Sequence, residues 1–73
     1  MNNISMLHSY IAKGQELIYI KDLAKMLGLQ PQTIRKWISQ DRLPHNLVKP
    51  KKQGNRNVWH IDKVMHYLQS IKN

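Results

Sequence analysis

Gly28-Leu29-Gln30-Pro31 is the segment that most restricts how this chain can fold. Glycine readily takes the positive φ that ends a helix, and proline, with a fixed φ and no N–H, suits the first turn of a new one. One helix must therefore stop and another start within three residues. On the near side, Leu23, Ala24 and Leu27 recur at helical spacing after Lys21, while Asp22 and Lys25 face away. On the far side, at roughly 100° per residue, Ile34, Trp37 and Ile38 form one stripe. Gln32, Lys36 and Ser39 point the opposite way, with Thr33, Arg35 and Gln40 on the flanks. The first helix packs on the second, and the second turns a polar, cationic face outward.

The second helix is predicted to stop at Asp41-Arg42-Leu43-Pro44, because Asp tolerates a left-handed backbone and Pro44 forces Leu43 out of the helical region. Leu47-Val48 and Val58-Trp59-His60-Ile61 then flank a loop holding Pro50, Lys51, Lys52, Gln53, Gly54, Asn55 and Arg56. That pattern predicts a β-hairpin with a mobile basic tip. Asp62 caps or favours a last helix, in which Val64, Leu68 and Ile71 keep helical spacing beside Tyr67. Upstream, Leu17-Ile18-Tyr19-Ile20 is a short β-forming run. Residues 1–17 read as an N-terminal extension: either a short helix with Ile4, Leu7, Tyr10 and Ile11 on one side and Gly14 as its cap, a frayed tail, or a contact surface for another copy or partner. Residues 18–73 are the main domain. Trp37 shares a stripe with Ile34 and Ile38, and Trp59 alternates with Val58 and His60 on a strand, so both indoles are expected in the core.

With 73 residues there is room for one small domain, and with no Cys neither a disulfide nor a thiolate zinc site can reinforce it. No apolar run approaches the roughly 18 residues that a membrane helix needs, so a cytoplasmic protein without membrane contact is expected. Twelve Lys and Arg against four acids give a formal charge of +8. The acids are Glu16, Asp22, Asp41 and Asp62, which leaves Arg42 to Ile61 with five cations and no carboxylate. A polyanion is the expected partner. Catalysis is not expected, because the carboxylates are scattered and His60 and His66 lie at no metal-ligand spacing; no metal or other cofactor is implied.

Two short helices joined by a tight turn, followed by a basic hairpin, are the sequence form of a winged helix-turn-helix, mainly α with a small β wing. The second helix of such a unit enters the major groove of double-stranded DNA. Gln32, Thr33, Arg35, Lys36 and Gln40 are its candidate contacts: Gln can pair with adenine and Arg with guanine, and either can hold a phosphate instead. Lys36 suits a phosphate. In the wing, Lys49, Lys51, Lys52, Asn55 and Arg56 are the candidates for backbone or minor-groove contact.

Tyr19-Ile20, Asp22-Leu23-Ala24, Leu27-Gly28-Leu29, Thr33-Ile34-Arg35-Lys36-Trp37-Ile38, Leu43-Pro44, Arg56-Asn57-Val58-Trp59 and Asp62-Lys63-Val64 resemble the MerR-type winged helix domain used by excisionases and AlpA-like phage regulators. The resemblance covers roughly residues 18 to 71. It departs from the family pattern at Gln30, where a better cap such as Ser is usual, at Asp41, where Gly is common, and in the extra Lys of the wing. It implies action on integrase-bound attachment sites or on promoters, hence an integrase or recombinase partner and association with the nucleoid of a bacterial host. The small surface of a single module, about 600–1,000 Å², separately leads to an expectation of cooperative self-association on DNA. The alternatives are a small phage interaction protein that binds an acidic protein or RNA, and a module that marks DNA-packaging sites.

Overall fold

The computed structural model describes residues 3–71, with side chains for residues 5–71. The short connection at Gly28 organises it. Helix α2 (Ile20–Leu27) ends on Gly28 at φ 71°, and the Leu29 N–H turns back to the Ala24 carbonyl at 2.9 Å. Helix α3 (Pro31–Ser39) starts with proline in its first turn. Gln30 contributes no side-chain cap there; its carbonyl accepts from the Thr33 N–H at 3.0 Å instead. Leu23, Ala24 and Met26 of α2 and Ile34 of α3 are buried in one core.

The elements preceding this pair are α1 (Asn3–Ala12) and β1 (Leu17–Tyr19). Helix α1 packs against α4 (Ile61–Ser70) and α2, and contributes fully buried Leu7. Of the other residues expected on its packing stripe, Tyr10 is partly buried, Ile11 is 42% exposed, and the Ile4 side chain lies outside the described residues. Ile20 is the first residue of α2 and does not continue the strand. The carboxylate of Asp22 fixes that junction: it accepts from the Tyr19 N–H at 3.3 Å, the Tyr10 hydroxyl at 3.3 Å and the Gln15 amide at 3.5 Å. Asp22 therefore faces its neighbours and not solvent alone, which corrects the sequence expectation. A carboxylate in the first turn also suits the helix dipole.

The hairpin is shorter and tighter than its sequence suggests. Its strands are β2 (Lys51–Gln53) and β3 (Arg56–His60), joined by the two residues Gly54 and Asn55. Only Gly54, at φ 65°, has a positive φ in this turn, as in a type II′ hairpin. Leu47-Val48 forms no strand: Leu47 is buried in the core, and Val48 is exposed and accepts at its carbonyl from the Trp59 indole N–H at 2.8 Å. The segment expected to be a loose loop thus supplies the first strand. All three strands form one antiparallel sheet in the order β1-β3-β2. Its register pairs Ile18 with Trp59 and Tyr19 with Val58 on one side, and Lys51 with Val58 and Gln53 with Arg56 on the other.

Strand alternation sends Ile18 and Trp59 into the core, where each is at most 2% exposed. Trp37 is only partly buried and packs on the rim of that core. Ile61 opens α4, with its N–H on the Glu16 carbonyl at 2.8 Å. His60 is the cap of α4: its Nδ1 accepts from the Asp62 N–H at 3.2 Å, while Asp62 sits in the first turn. Val64 and Leu68 are buried as expected, whereas Ile71 follows the helix and is 49% exposed. Among the described residues no helix is long and apolar enough to cross a membrane.

Candidate nucleic-acid interface

Burial of Ile34 orients α3. With that side chain fully enclosed, Gln32, Arg35 and Lys36 fall on the exposed side, Thr33 is half-buried, and Gln40 is the exposed residue that caps the helix. The helix ends cleanly because Asp41 takes φ 55° and the Arg42 N–H returns to the Trp37 carbonyl at 2.7 Å. Its outer face therefore carries the donors and acceptors that a groove-reading helix requires.

The wing candidates do not form a single patch. Successive residues of a strand point to opposite faces, so Lys51 and Lys52 diverge. Lys52 shares a hollow with Lys49, Asn57 and Ile38 at the C-terminal end of α3, and Asp41 lies in the same hollow. Asp41 pairs with Lys49 there, 3.4 Å apart and well exposed. Lys51 lies instead with Leu17, Val58 and His60 in a depression on the outer face of the sheet.

Arg56 and Asn55, by contrast, meet α3. A hollow of about 240 Å³ is lined by Arg35 from α3, Lys21 from the first turn of α2, Asn55, Arg56 and Asn57 from the wing, and Tyr19 from the end of β1. Among the described residues, no carboxylate lines it. The Arg56 guanidinium lies over the Tyr19 ring, 4.1 Å from its centroid, at a distance that permits cation–π attraction. Lys21 was not a sequence candidate, since a single lysine at an exposed helix position is usually just solvated. Tyr19, uncharged and part of a β-forming run, carries no sequence signal for such a role.

Tyr10 stands behind this junction. Burial raises its pKa above the ordinary tyrosine value, and the negative charge of Asp22 and the hydrogen bond to it act in the same direction. Its phenol therefore stays protonated and donates to Asp22, which keeps the end of β1 and the start of α2 in place.

A two-helix unit whose second helix lies beside an antiparallel hairpin, with a three-stranded sheet and two supporting helices, is a winged helix-turn-helix. The chain belongs to the helix-turn-helix domain family, whose model matches residues 19–71, and this makes it a DNA-binding protein of that class. It is also similar to Protein YkgV of Escherichia coli (strain K12), with 38% identity over 56 residues, which are 77% of this chain and 76% of that protein. No solved structure matches it.

Proposed function

We propose that the protein recognises specific sites in double-stranded DNA and acts there by occupying and bending them, without chemistry of its own. The observation that carries this reading is the meeting of Arg35 on the recognition helix with Arg56 and Asn55 on the wing in one carboxylate-free hollow. A helix in the major groove and a hairpin against the neighbouring backbone then grip the duplex together. Gln32 and Thr33 read base edges, while Arg35, Lys36, Lys52 and Arg56 hold phosphates.

Within that reading, the protein is an excisionase or an AlpA-like regulator of a phage or mobile element. The MerR-type pattern of residues 18 to 71 supports both roles. The first requires an integrase or recombinase partner, and either is served by several copies binding adjacent sites. A selection from random duplexes tests the proposal, followed by anisotropy titration of the selected duplex with unlabelled B-form DNA and A-form RNA as competitors. The expected result is an enriched sequence and competition by DNA alone, because A-form RNA hides its major groove. Equal competition by RNA overturns it. A circular-permutation gel with a multi-site fragment then tests the architectural role: an unbent fragment leaves a simple operator-binding regulator.

A further inference from the structure

We propose that the hollow between α2, α3 and the wing is a seat for one backbone phosphate of duplex DNA, held jointly by Lys21, Arg35 and Arg56, with Tyr19 as the residue that positions Arg56. The inference rests on the duplex-binding reading and adds to it a stoichiometry and two residues, Lys21 and Tyr19.

Three cations from three separate elements converge on this hollow. Among the described residues, no carboxylate pairs with any of them. Like charges brought together without a counterion repel, so the arrangement favours an anion shared among them. Asp22 is the nearest acid in sequence, and its oxygens already accept from Tyr10, Gln15 and the Tyr19 N–H. The hollow, about 240 Å³, opens to solvent and is wide enough to admit a phosphate group. Asn55 and Asn57 add amide donors at its wall, so the site offers hydrogen bonds as well as charge.

Tyr19 gives the seat its rigidity. An exposed arginine on a hairpin otherwise samples many rotamers, and stacking on the ring removes much of that freedom before DNA arrives. The planar guanidinium keeps its edge N–H groups available for a phosphate while its face rests on the phenol.

The test uses the full chain and a mixed-sequence duplex, on which only phosphate contacts count. The log–log salt dependence of affinity falls by about 0.9 for each phosphate released from contact. A shared seat predicts that the triple variant Lys21→Ala, Arg35→Ala, Arg56→Ala flattens the slope by about 0.9. A flattening of about 2.7 means three separate phosphates and overturns the shared seat. No flattening places the hollow off the DNA and overturns it as well. All three side chains are exposed, so the triple variant should melt with the wild type, and that measurement accompanies the titration. For Tyr19, replacement by Leu should weaken binding about 2- to 5-fold, while Phe, which keeps the ring, should bind like wild type. Wild-type affinity in the Leu variant overturns the positioning role. If wild-type protein binds no duplex at all, the underlying reading fails, an outcome distinct from duplex binding with an unaltered slope.

Discussion

Two indoles in this chain do unequal work. Trp59 is 2% exposed, pairs with Ile18 in the sheet and donates its N–H to Val48, whereas Trp37 covers only the rim of the core. Trp59→Ala should cost about 3–5 kcal/mol, which is a large share of the stability of so small a domain. Trp37→Ala should cost distinctly less and leave a folded protein; thermal melts of the two variants side by side check this, and an equal loss contradicts it. Tyr10 makes a prediction in pH. Its folded-state pKa lies above the ordinary value of 10.0, so the stability it contributes is complete below that value and is lost as pH rises through the folded-state value. Alkaline melts should show a drop that Tyr10→Phe reduces, together with a loss at neutral pH of about 1 kcal/mol for the missing hydrogen bond to Asp22. An identical alkaline profile for the two proteins would show that Tyr10 is not the group responsible. Tyr67, also raised by burial, adds to the drop in both proteins.

Among the elements, the α2-turn-α3 unit was legible in sequence because Gly28 and Pro31 punctuate it and Leu23, Ala24 and Ile34 repeat at helical spacing. The wing was legible as a hairpin but misplaced. Strand β2 is exposed along its whole length and holds no apolar residue, so nothing in Lys51-Lys52-Gln53 signals a strand, while the apolar Leu47 and Val48 mimic one. The phosphate hollow was half visible: Arg35, Asn55 and Arg56 carried a charge or turn signal, but Lys21 and Tyr19 join them only through the pairing of β1 with β3. The hollows beside α3 separate the wing's cations. Arg56→Ala and Lys52→Ala should each weaken all duplexes alike, and Lys51→Ala should have the smaller effect because Lys51 lines neither the hollow that Arg56 shares with Arg35 nor the one that Lys52 shares with Ile38. Gln32→Ala should instead cost roughly 1–3 kcal/mol on a preferred site and relax preference at one base pair. Titrations against matched and mismatched duplexes separate the two behaviours, and a uniform loss from Gln32→Ala would move that residue to the backbone.

At the scale of the whole domain, one copy reads little DNA alone, since single modules of this kind cover about 600–1,000 Å². Several copies on adjacent sites should therefore bind cooperatively, with a steeper isotherm on a multi-site fragment than on a single site; parallel isotherms would leave each copy independent. Leu7 cannot mediate such contacts because it is fully enclosed, and Tyr10 is tied to Asp22, which leaves Ile11 as the exposed large apolar group of α1 among the described residues. The free edge of β2 has a consequence beyond recognition. A strand with unpaired N–H and C=O groups can template edge-to-edge pairing with another chain, and lysines on that edge oppose it by repulsion. Lys51 and Lys52 thus also act as gatekeepers of colloidal behaviour, so a neutral β-forming pair such as Lys51→Val with Lys52→Thr should show light scattering and dye-binding aggregation on concentration. Selection that relaxes DNA affinity through these lysines would meet a second barrier, because the chain that lets go of DNA would begin to hold on to itself.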